Sequence, residues 1–163
     1  EELDLRSLAA YVIALQEQVE DTLVTFVLEP KEAPRVGFAV LGAETRLGQV
    51  LVNLITNAQS FSPNSGIIRV SLTREKGWIT LVVEDQGPGI PEDRLTKIFS
   101  RFYTDRPEQD SFGRYSGLGL SISQQIIDAH GGVIRAENAE RDGKVTGARL
   151  VVRLPEMPDD FRL

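Results

Sequence analysis

Three short segments, in fixed order along the chain, constrain its fold more than any other feature. They are GQVLVNLITNA at 48–58, VEDQGPGI at 83–90 and SGLGLSI at 116–122. The first has helical apolar spacing and puts Asn53 and Asn57 one turn apart on one face. The second is a strand that ends in Asp85 and runs into glycines, where the backbone can bend sharply and approach a ligand. The third opens a helix, whose first amides attract anions. Together they predict one pocket for a magnesium-bound nucleoside triphosphate.

The bulk composition indicates one compact domain and excludes several classes of protein. With 163 residues, 41% of them hydrophobic, the chain can bury a sizeable core. The net charge of -6 leaves no broad basic face for nucleic acid, and the lack of cysteine excludes disulfides and thiolate metal sites. No apolar run reaches the ~20 residues of a membrane span, and no signal peptide is recognisable at the start. Because the first residue is not Met, we expect a piece of a longer protein.

Hydrophobic periodicity gives the order of the elements. Helices are predicted at 4–21, 43–61, 95–102 and 117–130, and strands at 22–29, 37–42, 67–75, 78–85, 133–139 and 148–155. Residues 103–116 have no period, and an irregular loop of this length is usually functional or disordered. The pattern predicts an α+β fold, a two-layer α/β sandwich with a mixed sheet and helices on one face. We expect a single domain over 1–163, with a leading helix and strand at 1–40 and a motif-bearing core at 41–154.

The two carboxamides, Asn53 and Asn57, interrupt an otherwise apolar helical stripe. An unpaired amide there would cost about 1–3 kcal/mol, so both need partners. These are either backbone groups and each other, or a cation such as Mg²⁺, which prefers hard oxygen ligands and keeps water and phosphate oxygens in its shell. The combination with the other two segments favours the cation.

Asp85 ends an apolar strand, where a bare carboxylate is costly unless a donor reaches it. The amino group of adenine is such a donor, whereas guanine presents a carbonyl at that edge. The pattern therefore predicts ATP over GTP by at least about 1–3 kcal/mol. Gly87 and Gly89 then supply backbone freedom or clearance. An ordinary turn is the alternative, since DxGxG by itself is a weak motif.

The phosphate end of the pocket is less specific in sequence. Gly117 and Gly119 precede a helix whose first amides attract phosphate, although a packing turn is the alternative. The chain has neither a Walker loop nor a dinucleotide fingerprint. Arg101, Arg106 and Arg114 flank or lie in the irregular loop and could reach a γ-phosphate, although loop arginines are more often solvated.

His130 is the single histidine, and its place just before two glycines at a helix end predicts a structural role. With one histidine and no cysteine, neither a Ser–His–Asp constellation nor a metal cluster can be assembled. The corresponding classes of hydrolase are excluded.

As a set, the segments resemble the catalytic and ATP-binding domain of bacterial sensor histidine kinases, within the superfamily of gyrase, Hsp90, kinase and MutL (GHKL). The resemblance runs from about Leu41 to Leu154. Its pieces are ETRLGQVLVNLITNAQSFSP (N box), VEDQGPGIP (G1 box), IFSRFY (F box) and GLGLSISQQIIDAHGG (G2 box). Within the family, the G2 segment and NAQSFS resemble alphaproteobacterial envelope-sensing kinases of the ChvG type. The fold implied is the Bergerat ATP-binding fold.

The resemblance assigns roles to the motif residues. It implies that Asn57 binds Mg²⁺, that Asn53 assists at the metal and phosphates, and that Asp85 holds the adenine amino group. The catalytic candidates are Asn53, Asn57 and Arg101. The candidates for nucleotide binding are Asn53, Asn57, Asp85, Gly87, Gly89, Ile90, Phe102, Tyr103, Arg106, Gly117, Leu118, Gly119 and Leu120.

The family pattern also implies a mobile ATP lid at 103–116, anchored by Phe99 and Phe102. Two departures from that pattern stand out. The family usually has Lys or Arg at the position of Ser60, so one cationic contact to phosphate is missing or replaced. The family's phosphoacceptor histidine, which lies on a separate helical hairpin, has no counterpart here.

The function implied is binding of Mg-ATP and transfer of the γ-phosphoryl group to a histidine on a dimerising helical domain of the parent protein. A response regulator receiver domain would take the phosphoryl group next. We expect no partner among nucleic acids, no direct membrane contact and a monomeric isolated domain. The resemblance implies a cytoplasmic domain of a bacterial inner-membrane sensor.

Three other functions share the pocket. An ATP-driven machine of the gyrase, Hsp90 or MutL type would carry a glutamate one turn before the metal asparagine to activate water, whereas this chain has Asn53. A serine kinase acting on an anti-sigma antagonist is less favoured by IFSRFY and the long lid. A pseudokinase that binds ATP only as a structural ligand is compatible with Ser60.

Overall fold

The computed structural model describes residues 1–19, 23–101 and 119–158. Helices in these ranges are α1 (Leu5–Glu17), α2 (Glu44–Phe61) and α3 (Gly119–Ala129), and the strands are β1 (Glu2–Asp4), β2 (Thr25–Glu29), β3 (Ala39–Leu41), β4 (Ile67–Glu75), β5 (Trp78–Glu84), β6 (Val133–Arg141) and β7 (Lys144–Pro155). None of the helices in the described ranges is both long and apolar enough to cross a membrane.

The strands form one large and one small sheet. The five-stranded sheet has the order β2-β4-β5-β7-β6, in which β2 runs parallel to β4 and the other neighbours are antiparallel. The small sheet pairs β1 with β3. The mixed sheet and the α+β class are as predicted.

The hydrophobic core lies between the five-stranded sheet and the helices. Alternate residues of the central strands face it, because side chains of a strand point to opposite faces in turn. These inward residues, each at most 5% exposed, are Ile68, Val70, Leu72, Ile79, Leu81, Val83, Leu150, Val152 and Leu154. Apolar stripes of α1, α2 and α3 join the same core. The helices therefore cover one face of the sheet.

The opposite face of the sheet carries a charged row, which we define as Glu29, Arg69, Glu84, Arg149 and Glu137. Its members lie on the five strands in turn, with alternating sign. The ion-pair distances are 3.3 Å for Arg69–Glu29, 3.2 Å for Arg149–Glu84 and 3.1 Å for Arg149–Glu137. Arg69 and Glu84 are directly opposite in the ladder.

Several boundaries differ from the predictions. The first helix ends at Glu17, and residues 20–22 lie outside the described ranges. The helix predicted at 95–102 is wrong in its described part, which contains a single 3₁₀ turn at Lys97–Phe99; another 3₁₀ turn, Glu92–Arg94, comes just before it. A helix this short gains little from propagation, and burial of its apolar side chains in the core decides the backbone path. Strand β1 was not predicted.

A hydrogen bond connects the C-terminal end of α3 to the N-terminal end of α2. Nε2 of His130 accepts a hydrogen bond of 3.1 Å from the backbone N–H of Ala43, which is the N-cap of α2 and has no side-chain cap. Nδ1 of His130 lies 2.8 Å from the carbonyl of Ile126. The two contacts define a neutral imidazole with its proton on Nδ1. His130 thus has a structural role in joining the two helices.

Candidate nucleotide site

Helix α2 presents the two predicted carboxamides at the edge of its buried stripe. Asn53 and Asn57 are both half-buried, between fully buried neighbours such as Leu54 and Ala58. Within the described ranges, the side chain of Asn57 has no hydrogen-bond partner. The hydroxyl of Ser60 donates to the backbone carbonyl of Asn57 at 2.7 Å, so it bonds back to its own helix. A polar group left unpaired beside a core is a candidate ligand-binding group.

Asn53 bonds across to α3. Its Nδ2 donates to the carbonyl of Gly119 at 3.0 Å and lies 3.2 Å from Oγ of Ser123. A side chain on Gly119 would begin 3.5 Å from Cγ of Asn53, which is ordinary contact. Asn53 therefore fixes the first turn of α3 against α2.

Asp85 follows β5 directly and is 5% exposed. Its Oδ1 accepts hydrogen bonds from the amides of Gly87 at 2.9 Å and Ala148 at 3.0 Å. Its Oδ2 accepts no hydrogen bond from the described residues. This oxygen is nevertheless absent from the set of fully buried polar atoms without a partner in the described ranges, so part of its surface is accessible. Oδ2 is thus an acceptor in contact with accessible space. Burial raises the pKa of Asp85, and the two amide bonds offset part of that rise.

Glycines bring the backbone close around Asp85. A Cβ on Gly87 would lie 2.5 Å from the carbonyl oxygen of Phe61 at the end of α2, so a side chain there would collide with backbone. A Cβ on Gly147 would collide with the carbonyl of Asp85. Gly89 has a φ of 82°, in the left-handed region that favours glycine. The glycine loop, residues 86–91, depends on these positions.

Asn138 on β6 holds the glycine loop, and sequence reasoning missed it. Its Oδ1 accepts from the amide of Ile90 at 2.7 Å, and its Nδ2 donates to the carbonyl of Ile90 at 2.7 Å. A signal was present, because the alternation of Ile134 and Ala136 places Asn138 on the inward face of the strand. A polar residue at an apolar position of that alternation needs a partner.

An open groove of about 570 Å³ lies beside the glycine loop. It is lined by Phe61, Pro88, Gly89, Ile90, Pro91, Glu92, Asn138, Glu140 and Val145. The groove shares two candidate residues, Gly89 and Ile90, with the predicted adenine loop. Asp85, Asn53 and Asn57 do not line it, so the groove by itself is not the predicted nucleotide site.

The remaining candidate site residues differ in burial, and several of them lie outside the described ranges. Leu120 is partly buried against the core, Phe99 is 7% exposed within it, and Arg101 is exposed after the second 3₁₀ turn. The structure brings Asn53 and Gly119 together at the contact of α2 and α3, and Asn57 lies one turn further along α2. The predicted lid at 103–116 lies outside the described residues. So do Phe102, Tyr103, Arg106, Arg114, Gly117 and Leu118.

The donor set determines what kind of metal could bind. The described residues contain no group of three or more His, Cys, Asp or Glu side chains that could hold an ion. Carboxamide oxygens of Asn53 and Asn57 remain available, and they are neutral, hard ligands. They fit Mg²⁺, which takes one or two protein ligands and completes its shell with water and phosphate oxygens.

The mixed sheet with helices on one face is the architecture of an ATP-binding catalytic domain of the histidine kinase type. The chain belongs to the family of histidine kinase-, DNA gyrase B-, and HSP90-like ATPases, whose model matches residues 42–158. It is 48% identical over 162 residues to the sensor protein ChvG of Rhizobium meliloti (strain 1021), a match that covers 96% of this chain and 28% of that protein. The predicted resemblance to histidine kinases is confirmed.

A second curated relative and a solved structure are also histidine kinases. The chain is 40% identical over 124 residues to the signal transduction histidine-protein kinase/phosphatase MprB of Mycobacterium sp. (strain KMS), covering 76% of this chain and 24% of that protein. It superposes on the catalytic domain of histidine kinase ThkA with a TM-score of 0.78 and 32% identity, covering 98% of each chain. The chain spans about a quarter of the length of the curated relatives it matches.

Proposed function

We propose that this chain binds Mg-ATP and presents the γ-phosphoryl group to a histidine on a separate helical dimerisation domain of the parent protein. The observation that carries the proposal is the carboxylate of Asp85, with one oxygen saturated by backbone amides and the other left as an acceptor. This arrangement suits the amino group of adenine and opposes the carbonyl of guanine.

The chain's own residues bind and orient the nucleotide. Asp85 and the glycine loop hold the base, while Asn53 and Asn57 meet the phosphate end and would be the protein ligands of the metal. When bound, Mg²⁺ supplies positive charge that offsets the phosphates. In the transfer, the bond from the γ-phosphorus to the β–γ bridging oxygen breaks, a P–N bond to the imidazole forms, and ADP leaves. The imidazole proton passes to solvent or to a base on the partner domain.

The partners are proposed from the relatives. The histidine kinase ThkA has been solved in complex with the response regulator protein TrrA, and this chain covers 98% of its own length and 42% of ThkA in that comparison. We propose that a receiver domain accepts the phosphoryl group from the parent histidine. The relatives named as sensor proteins support a parent that is a sensor, and we propose that this parent lies in the inner membrane with this domain in the cytoplasm.

An ATPase of the gyrase or Hsp90 type is less well supported. The single acidic residue of α2 is Glu44, nine residues before Asn53 and so about 13 Å along the helix axis. The carboxamide of Asn53 is no base, and its nitrogen already donates to α3. The helix offers no carboxylate beside the carboxamides to activate water.

Two measurements test the proposal. Purified chain is titrated calorimetrically with ATP, ADP and GTP, with and without Mg²⁺, and we expect adenine nucleotides to bind and GTP to bind at least ~10-fold more weakly. The chain is then mixed with the helical domain of its parent and labelled ATP. Acid-labile phosphate on that domain is expected, with slow release of free phosphate from the chain by itself. Rapid hydrolysis by the isolated chain, or equal affinity for GTP, would contradict the proposal.

A further inference from the structure

Ser123 is a completely buried hydroxyl residue at the contact of α2 and α3. It is 0% exposed and lies one helical turn after Gly119. Its Oγ is 3.2 Å from Nδ2 of Asn53. A hydroxyl in an apolar contact between helices is costly unless it is bonded, so this bond accounts for a serine among buried neighbours such as Ile127.

The contact fixes which way the carboxamide of Asn53 faces. The carbonyl of Gly119 can only accept a hydrogen bond, so the group opposite it, at 3.0 Å, must be the amide nitrogen. Both hydrogens of that nitrogen are then used, one by Gly119 and one by Ser123. The oxygen Oδ1 is on the other branch of the planar group and has no partner among the described residues. Asn53 shares its helix face with Asn57, one turn further on.

We propose that Ser123 is a positioning residue for the phosphate end of the nucleotide, which keeps Oδ1 of Asn53 turned towards the metal and phosphates. This inference rests on the proposed function. Without the hydroxyl, one hydrogen of Nδ2 loses its acceptor and the carboxamide is less strongly held. The bond to Gly119 remains, so the effect is a weakening and not a complete loss.

The test is the dependence of ATP affinity on Mg²⁺, measured calorimetrically as the ratio of the Kd in EDTA to the Kd with Mg²⁺. Ser123→Ala is expected to lower this ratio about 3- to 10-fold, the worth of one neutral hydrogen bond, and to leave the Kd in EDTA within about twofold. Ser123→Thr, which keeps a hydroxyl, should retain the ratio. Thermal unfolding of each variant without ligand shows whether the fold is intact. If Ser123→Ala is unfolded, Ser123→Cys is used in its place, because a thiol is of similar size to the hydroxyl but is a weak acceptor.

A double mutant separates positioning from a general effect. If Ser123 acts through Asn53, the double mutant Ser123→Ala/Asn53→Ala has the same ratio of Kd in EDTA to Kd with Mg²⁺ as Asn53→Ala by itself. An unchanged ratio in folded Ser123→Ala or Ser123→Cys, or a further drop in the Asn53→Ala background, overturns the inference. Failure of the unmutated chain to bind ATP, or binding indifferent to Mg²⁺, would instead overturn the proposed function.

Discussion

Asp85 is the one ionisable side chain that is buried in the described part of the chain. Two backbone amides satisfy one of its oxygens, and the pKa of the carboxyl is nevertheless raised because burial outweighs them. Ionisation therefore favours the unfolded chain. The folded domain loses stability as the pH rises from the unfolded pKa of Asp85 through its folded pKa, and above that the loss is complete. A buried carboxylate that lowers the stability of the folded domain when it ionises indicates a functional requirement.

Asp85→Asn should separate stability from binding. The asparagine carbonyl can accept both amide bonds, the buried charge is gone, and an N–H₂ group replaces the free oxygen. We expect an equal or higher melting temperature at pH 7, with the difference from the unmutated chain shrinking as the pH is lowered. Affinity for ATP should fall by about 1–3 kcal/mol, because two donors now face each other.

Calorimetric titration and thermal unfolding over a pH series measure both effects. Glu75→Gln, at an exposed carboxylate at the far end of β4, is the matched control and should change neither. Unaltered ATP affinity in Asp85→Asn would remove Asp85 from the adenine site.

Asp4 shows the opposite sign of linkage. Burial raises the pKa of this carboxyl, but hydrogen bonds from the Ser7 hydroxyl and from the amides of Phe38 and Ser7, with the charge of Arg6, outweigh it and lower the pKa. Its stabilising contribution is present above the unfolded pKa and is lost as the pH falls through the folded pKa.

Asp4 is also the N-cap of α1. We expect Asp4→Ala to lower the free energy of unfolding, measured by urea denaturation at pH 7, by about 0.5–2 kcal/mol, because the helix loses its N-cap. Asp4→Asn, which keeps an acceptor, should cost less; an equal cost for both would show that the charge and not the cap matters.

At the scale of elements, local periodicity was enough for α2, α3 and the hairpins β4–β5 and β6–β7. Each of these has several apolar residues at one spacing, and the hairpin partners are neighbours in sequence. Strand β1 could not be predicted, because three residues carry too little pattern and its partner β3 is more than 30 residues away. The same reason hid the contact of Asn138 with Ile90 and that of Ser123 with Asn53. Motifs nominate candidate ligand-binding groups, whereas the side chains that hold those groups in place are found only from the tertiary contacts.

The glycine loop depends on Asn138, and an isosteric change tests this. In Asn138→Asp, one carboxylate oxygen can still accept from the Ile90 amide, but the other opposes the Ile90 carbonyl. We expect ATP and ADP to lose affinity by a similar factor, about 3- to 10-fold, since both carry the same base. The ratio of Kd values with and without Mg²⁺ should stay the same, which distinguishes this variant from Ser123→Ala. A loss confined to the Mg²⁺-dependent part would contradict an adenine-side role.

At the scale of the whole molecule, the order of strands was beyond sequence reasoning. Parallel pairing of β2 with β4 requires the chain to cross over through β3 and α2, and no local signal specifies which strands become neighbours. The charged row then crosses all five strands on the face away from the helices, with ion pairs joining β2 to β4 and β7 to both β5 and β6. Its members are about one-third to one-half exposed, so each pair is individually weak.

Arg149 has two ion-pair partners in the charged row, because it lies between Glu84 and Glu137. We expect Arg149→Met to cost about 0.5–1 kcal/mol in urea denaturation, since two carboxylates lose their shared partner. The cost should shrink in about 1 M NaCl, where the screening length is about 3 Å. Arg69→Met, at a more exposed arginine with one ion-pair partner in the row, is the comparison and should cost less. Equal costs that do not depend on salt would mean that the arginine stems, not their charges, stabilise this face.

Helix α3 is hydrogen-bonded to α2 near both of its own ends, by Asn53 of α2 at the start of α3 and by His130 after its last residue. Neither helix can swing open without releasing the other, so their amide protons should exchange with deuterium through one shared opening event. A ligand that tightens α2 would then protect α3 to the same extent, even where it touches no residue of that helix.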